Sequence, residues 1–209
     1  MGKRGTSRPG TWSGRSSSSA PGVRLRLFFA VELPPEVRAA LGRLHPPANA
    51  PGAADYRWVQ PELLHVTLAF LGSQSPDSLP LLHRIAESAA GVSARGTLSL
   101  GEPGSFGPAH APRVLWAGLR GDLAVLERLQ SSLAVGLREA GFPLEDRPFA
   151  PHITLARRRP HARPSAHLEW PPRSRLPSLQ VSVESFSLMQ SELSPAGPHY
   201  TPLERFNLA

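Results

Sequence analysis

Two histidines with the same sequence context are the residues best suited to carry out chemistry. His65 opens the segment HVTLAF, residues 65–70, and His152 opens HITLAR, residues 152–157, 87 positions further along the chain. Histidine titrates near neutral pH, so it is the side chain best matched to both giving and taking a proton there. Each histidine is followed two residues later by a threonine, Thr67 or Thr154. The repeat therefore indicates a pair of acid–base residues, each with a hydroxyl group nearby.

Both segments have the alternating pattern of a β-strand. Successive side chains of a strand point to opposite faces, so every second residue shares a face. The face expected to be polar carries His65, Thr67 and Ala69 in the first copy and His152, Thr154 and Ala156 in the second. The opposite face, made of Val66, Leu68 and Phe70 and of Ile153 and Leu155, is expected to pack against a core. A third match, His199–Thr201, lies between two prolines, and we interpret it as chance.

The elements that must position these motifs indicate an α+β protein, because strands and helices are mixed without a regular βαβ order. Apolar runs predict strands at Arg24–Val31, His65–Leu71 (ended by Gly72), Thr97–Leu100, Val114–Leu119, His152–Ala156, Leu179–Met189 and Tyr200–Leu208. Capping signals and leucine spacing predict helices at Pro34–Leu44, Pro76–Ala90 and Leu123–Leu137, the last ended by Gly141. Each motif copy follows a strand and a long helix. A duplication into two lobes of about 90 residues around a central cleft is the economical explanation.

The composition excludes several classes of protein. The chain has no cysteine, which excludes a disulfide scaffold, a thiolate zinc site and a cysteine nucleophile. No apolar run approaches the roughly 20 residues of a membrane-spanning helix. No metal-binding or ATP-binding motif is present, and the only lysine is Lys3. We therefore predict a cytoplasmic, monomeric protein that uses no metal and no other cofactor and has no membrane partner.

The net charge of +7 is concentrated in two segments. Residues 1–22 carry four basic side chains and no acid, and residues 157–175 carry six arginines against one glutamate, so the rest of the chain is slightly acidic. Residues 1–22 are rich in glycine, serine and proline, and we predict that they form a disordered basic tail. Residues 23–209 are predicted to form the folded domain. The second basic segment could reach a polyanion.

Several segments together resemble one known family. They are Arg26–Pro34 (RLFFAVELP), Arg57–Val59, His65–Gly72, Arg113–Trp116, Arg147–Phe149, Pro151–Arg157 and Tyr200–Leu203. In these the chain, from about residue 24 onward, is similar to the 2H phosphoesterase superfamily and, within it, to the RNA 2',3'-cyclic phosphodiesterases of bacteria and archaea, formerly called 2'-5' RNA ligases. The resemblance implies a duplicated, two-lobed 2H fold of antiparallel sheets with flanking helices and a central cleft. Its two H-x-T-x motifs are residues 65–68 and 152–155.

The resemblance also implies a reaction and a set of site residues. The reaction is hydrolysis of an RNA 2',3'-cyclic phosphate end to a 2'-phosphomonoester, without a metal, together with reversible ATP-independent 2'-5' RNA ligation. His65 would be the proton donor, His152 the proton acceptor, and Thr67 and Thr154 would bind the phosphate. Arg157 is the substrate-binding residue that the resemblance implies. Separately, Phe28, Phe29 and Phe149 are candidates to stack a terminal base, because single-stranded RNA is usually bound by aromatic faces. Core packing is expected for at least two of the three, and Phe28 is the one predicted to bind substrate. The partner would be RNA with a cyclic phosphate end, with tRNA fragments as one candidate source.

Two other functions stay open from the sequence. Another 2H enzyme, acting on small cyclic nucleotides or trimming RNA 3' ends, would carry the same motifs. A non-catalytic RNA-binding module would keep the basic segment but would need neither histidine, and the two intact H-x-T pairs argue against it.

Overall fold

The computed structural model describes residues 22–160, 162, 170, 179–195 and 197–209. The predicted tail, apart from Gly22, and most of the second basic segment therefore lie outside the described residues. Within them the chain forms nine strands and three α-helices. In chain order these are β1 (Leu25–Glu32), α1 (Pro35–Gly42), β2 (Tyr56–Trp58), β3 (His65–Gln74), α2 (Leu79–Gly91), β4 (Gly96–Phe106), β5 (Val114–Gly121), α3 (Ala124–Glu139), β6 (His152–Arg158), β7 (Gln180–Val183), β8 (Ser185–Ser194) and β9 (Gly197–Asn207).

All nine strands belong to one antiparallel sheet. Eight of them follow the order β7-β4-β5-β6-β3-β1-β8-β9, and β2 pairs with β6 off this path. The two strands that carry the histidine motifs, β3 and β6, are paired only at Val66 and Ile153. Further along β6, Ala156–Arg158 pair with β2 instead. The sheet therefore consists of two four-stranded halves that meet at one point and diverge from it.

The helices cover one face of this sheet. The main core joins apolar side chains of the strands to Val37 and Leu41 of α1, Leu82 of α2 and a row of leucines on α3. The members of that row, Leu126, Leu129, Leu133 and Leu137, are fully buried, as their spacing predicted. Gly141 ends this helix region with φ 82°, a conformation that glycine adopts without strain. The histidine side chains lie on the face of the sheet opposite to these three helices.

The predicted alternation of faces is wrong beyond each threonine. In β3, Phe29 pairs with Ala69 but the next residue of β1, Ala30, pairs with Thr67, so Leu68 is an extra residue in the strand. Such a β-bulge reverses the alternation that follows it. Ala69 consequently belongs to the main core, and Phe70 is 41% exposed on the other face.

The second motif has the same irregularity at the same position. In β6 the register shift falls between Leu115–Ala156 and Trp116–Thr154, which makes Leu155 the extra residue. Leu68 and Leu155 are 87 residues apart, like the two histidines. Ala156 therefore turns away from the histidine face and is fully buried, whereas Arg157 is exposed.

Three other expectations about the elements need correction. β3 does not end at Gly72 but runs to Gln74. Leu71 is a further extra residue in the pairing with β1, and the strand continues through Gly72, which has a φ of 69°. The helix predicted from Pro76 begins with a 3₁₀ turn, capped by the Ser75 hydroxyl, and becomes α-helical only at Leu79. The predicted strand Leu179–Met189 is divided at Glu184 into β7 and β8, which pair with opposite halves of the sheet.

The remaining predicted strands and helices are confirmed, with ends that differ by a few residues. No helix among the described residues is long and apolar enough to cross a membrane.

A cluster of three phenylalanines should dominate the stability of the first half. Phe29 is fully buried and makes edge contacts with Phe186 and Phe206, at centroid distances of 5.8 and 6.4 Å. Phe29→Ala should lower the free energy of unfolding by about 3–5 kcal/mol in urea denaturation, because it leaves a cavity between three strands. Val135→Ala, at a site 52% exposed, is the control and should change it by less than about 0.5 kcal/mol. Equal effects of the two substitutions would contradict this packing.

Candidate active site

The two histidines lie on neighbouring strands at the point where the halves of the sheet meet. His65 directly precedes Val66, and His152 directly precedes Ile153, the two residues that form the single β3–β6 pair. Because the strands are antiparallel, the histidines lie on opposite sides of this pair. Both Thr67 and Thr154 are half-buried on the same face as the histidines. The junction thus brings both motifs together in one groove.

Each imidazole is held by the same hydrogen bond. His65 Nδ1 lies 2.7 Å from the carbonyl oxygen of Leu63, and His152 Nδ1 lies 2.7 Å from that of Ala150. A carbonyl only accepts, so in both rings Nδ1 carries the proton and donates it. Nε2 is then the nitrogen left for chemistry. In the first half the Thr67 hydroxyl lies 3.1 Å from His65 Nε2 and donates to it when the ring is neutral.

Aromatic side chains enclose both rings but to different depths. His65 packs against Phe28 and Tyr200, with ring centroids 5.0 and 5.4 Å away. The rings of His152 and Phe106 make an edge-to-face contact, with centroids 4.9 Å apart, and Phe106 is itself 37% exposed. His65 is accordingly the more deeply buried of the two histidines. The groove is therefore more enclosed around His65 than around His152.

Burial and one arginine lower the pKa of both histidines. Loss of hydration is the largest cause in each ring, and it disfavours the charged imidazolium. The hydrogen bonds from Nδ1 to the carbonyls act in the opposite direction. The positive charge of Arg157 lowers the pKa of both rings further, and His152 adds to the effect on His65. Both histidines are therefore mostly neutral at pH 7 in the free protein.

Arg157 reaches the groove because of the bulge at Leu155. Its side chain is exposed, and its charge acts on His65, His152 and also the Tyr200 hydroxyl. The structure thus brings five of the six predicted site residues together around one space: His65, His152, Thr67, Thr154 and Arg157.

Phe28, the sixth predicted residue, lies beneath His65. Its ring is 4% exposed and packs with Ala30, Met189 and Tyr200. Its predicted contact with substrate is not tested by this geometry, in which the ring supports the imidazole. Phe29, the next residue along the strand, is also buried and belongs to the main core.

Sequence reasoning missed three aromatic neighbours of the histidines. Tyr200 belongs to the His199–Thr201 match that we interpreted as chance; His199 is exposed, and it is the tyrosine beside it that contacts His65. Phe106 and Trp116 flank His152. The family resemblance contained the segments with Tyr200 and Trp116, but nothing in their local pattern points to an imidazole.

Within the described part of the chain, no three His, Asp or Glu side chains are grouped closely enough to hold a metal ion.

A single antiparallel sheet with an H-x-T strand from each half at its centre defines the class: a phosphoesterase of the two-histidine type. The chain belongs to the 2'-5' RNA ligase superfamily, whose family profile matches residues 30–195. The resemblance seen in the sequence is therefore confirmed.

Curated relatives narrow the family to one kind of enzyme. The chain is 39% identical over 198 residues to the RNA 2',3'-cyclic phosphodiesterase of Thermus thermophilus, covering 88% of this chain and 90% of that protein. It is 32% identical over 191 residues to the enzyme of the same name from Escherichia coli, covering 88% and 96%. The protein is thus an enzyme of the RNA 2',3'-cyclic phosphodiesterase family.

Solved structures agree with the fold. The crystal structure of a Thermus thermophilus protein superposes with a TM-score of 0.71 at 36% identity, covering 88% of this chain and 98% of that one. Escherichia coli LigT in complex with 3'-AMP superposes with a TM-score of 0.73 at 30% identity, covering 90% and 99%. These matches show an α+β fold built on a curled antiparallel sheet.

The effect of Arg157 on the two imidazoles can be measured directly. Without substrate, both histidine pKa values should lie below 6.5 in pH-dependent NMR of the rings. Arg157→Gln should raise both, because it removes a positive charge that disfavours the imidazolium. Arg128→Gln, at an exposed position on α3, is the matched control and should leave both unchanged. Values at or above 6.5 in the parent protein would contradict the described burial.

A glycine next to Trp116 offers a second test of the site. Gly104 pairs with Trp116, and a methyl group there would overlap the indole ring. Gly104→Ala should cost about 1–3 kcal/mol of stability and lower kcat/KM, because the displaced indole lies against His152. Gly91→Ala is the control, since a Cβ there meets nothing within 4 Å. Unchanged activity and stability in Gly104→Ala would show that Trp116 is not fixed by this contact.

Proposed function

We propose that this enzyme hydrolyses the 2',3'-cyclic phosphate at an RNA end and leaves a 2'-phosphomonoester. The observation that carries the proposal is the pair of imidazoles in one groove beside Arg157, each with Nδ1 bound to a carbonyl and Nε2 on the opposite side of the ring, where that of His65 contacts the Thr67 hydroxyl. An in-line displacement at phosphorus needs a base on one side and an acid on the other. Two histidines at the junction of two half-sheets meet that requirement.

In the proposed reaction His152 is the base and His65 is the acid. His152 Nε2 takes a proton from water as the water oxygen bonds to phosphorus. The bond from phosphorus to the ribose O3' breaks, and His65 Nε2 gives its proton to that oxygen. His152 ends protonated and His65 neutral, and exchange with solvent restores the starting state. The more open position of His152 suits the residue that must meet water.

The substrate itself would supply the protonation that His65 needs. In the free protein the positive charge of Arg157 is one of the causes that disfavour an imidazolium at His65. A cyclic phosphate carries one negative charge, which offsets the arginine and raises the pKa of a neighbouring histidine. We therefore assign Arg157 to the phosphate oxygens, together with the hydroxyls of Thr67 and Thr154. These contacts would also stabilise the charge that develops on phosphorus.

Phe28 is assigned a different part from the one expected. Its contact with His65 supports a positioning role, in which the buried ring keeps the imidazole at its place in the groove. A stacking contact with a base would require an open ring face.

The same displacement with an RNA 5'-hydroxyl in place of water would form a 2'-5' bond without ATP: His152 takes the proton of the 5'-hydroxyl, and His65 gives its proton to O3' as the P–O3' bond breaks. The two histidines exchange roles only when the 2'-5' bond is cleaved back to the cyclic phosphate. We also propose that residues 23–209 act as one domain of two pseudo-symmetric lobes. The matching bulges at Leu68 and Leu155 and the matching Nδ1 hydrogen bonds support this. Binding of tRNA fragments, the monomeric state and the cytoplasmic location stay predictions.

The proposal is tested with a short RNA that ends in a 2',3'-cyclic phosphate, in the presence of EDTA. The expected product is a 2'-phosphomonoester, identified by ³¹P NMR. His65→Ala and His152→Ala should each lower kcat/KM by about 10²–10⁴-fold or more, because each removes a proton-transfer group. Thr67→Ala and Thr154→Ala should cost less, since each removes one hydrogen bond.

The third H-x-T match, His199–Thr201, provides a control for the two histidine substitutions. His199→Ala changes an exposed histidine in the same local sequence and should keep the activity of the parent enzyme. A 3'-phosphomonoester product, loss of activity in EDTA, or full activity in either His65→Ala or His152→Ala would each overturn the proposed mechanism.

A further inference from the structure

Arg26 and Phe70 form a contact pair beside the groove, and neither residue takes part in the proposed reaction. The guanidinium carbon of Arg26 lies 4.8 Å from the centroid of the Phe70 ring. Phe70 pairs with Phe28, so the two rings share a face of the sheet. Arg26 precedes Phe28 by two residues on β1 and therefore shares that face as well. The pair extends the groove on the side of the first half.

The exposure of Phe70 is unusual for a strand residue in this position. The simple alternation would bury it, yet the bulge at Leu68 turns it outward and leaves it 41% exposed. In the second half the bulge at Leu155 turns Arg157 onto the groove face in the same manner. Phe70 and Arg157 each come five residues after their motif histidine. The β-bulge therefore places Arg157 on the groove face in the second half. In the first half it places Phe70 there, and the Arg26 guanidinium lies over the Phe70 ring.

The pairing suits Arg26 to bind an anion. A guanidinium stacked on an aromatic face keeps its edge N–H groups available, and these match the oxygens of a phosphate. None of the ion pairs among the described residues involves Arg26. The charges of Arg26 and Arg157 both lower the pKa of the Tyr200 hydroxyl, against the dominant effect of burial, so both arginines lie near this hydroxyl. Two cationic positions are therefore present along one groove.

We propose that Arg26, supported by Phe70, binds the phosphate that joins the terminal nucleotide to the nucleotide before it. This inference rests on the proposed function, in which Arg157 contacts the cyclic phosphate. An RNA end offers both phosphates, whereas a cyclic mononucleotide with a free 5'-hydroxyl offers only the cyclic one. Phosphate binding at Arg26 would therefore make the enzyme favour RNA ends over free cyclic nucleotides.

The test compares 2',3'-cyclic AMP with the dinucleotide ApA that ends in a 2',3'-cyclic phosphate, two substrates that differ by the internucleotide phosphate and the adenosine attached to it. The quantity measured is the ratio of kcat/KM for the dinucleotide to kcat/KM for the mononucleotide. Arg26→Gln should lower this ratio about tenfold, because a charged hydrogen-bonding partner is lost for one substrate only. The slope of log kcat/KM against log salt for the dinucleotide should become shallower by about 0.7.

Two further variants separate the pair from general charge effects. Phe70→Leu removes the ring under the guanidinium and should lower the same ratio by about threefold, consistent with a cation–π contact. Arg128→Gln removes an equal charge from the exposed side of α3 and should leave the ratio and the salt slope as in the parent enzyme.

The outcomes distinguish the second phosphate position from the reaction itself. If the parent enzyme hydrolyses both substrates and Arg26→Gln leaves the ratio unchanged, the position is wrong and the proposed function stands. An equal loss on both substrates also overturns it, because Arg26 would then act on the reacting phosphate. If the parent enzyme hydrolyses neither substrate, the proposed function falls and this inference falls with it.

Discussion

The single backbone pairing between Val66 and Ile153 is the constraint on which the site depends. Two half-sheets that paired over their whole length would close the space between their central strands. Two halves without any pairing would leave the histidines on unrelated surfaces. One pair fixes the distance and the antiparallel direction, and β2 then takes the place of β3 beside the rest of β6. The strands diverge from that point, and the groove is the space between them.

The same junction also brings several groups that can carry positive charge close together. Two ionisable rings and a guanidinium lie within one partly dehydrated space, so positive charge is disfavoured there until an anion arrives. The carbonyls of Leu63 and Ala150 hold Nδ1 of each ring and so keep the tautomer and the orientation fixed while the charge on the ring changes. Neutral imidazoles, hydroxyls and one arginine therefore face the groove, an arrangement that suits the anionic substrate proposed for it.

Much of this arrangement could be predicted from the sequence, and the part that could not has a specific cause. The motif repeat located both histidines and both threonines, and leucine spacing located α3, because each signal is local. The faces of Ala69, Phe70 and Ala156 were wrong because a bulge adds one residue to a strand, and only the register against a neighbouring strand reveals it. Tyr200 was missed for a related reason. It reaches His65 from a strand at the edge of the sheet, 135 positions along the chain.

The difference between the two halves explains how a repeated motif can support unequal roles. Identical motifs and identical Nδ1 hydrogen bonds would give two equivalent histidines if their surroundings were also repeated. The surroundings are not: Phe28 and Tyr200 pack around His65, whereas Phe106 leaves His152 more open. A base that activates water needs access to solvent, and an acid that protonates a leaving oxygen benefits from its exclusion, because water would compete for the proton. In the proposed reaction the repeated motif supplies the two proton-transfer groups, and the unequal aromatic packing distinguishes the one that acts as base from the one that acts as acid.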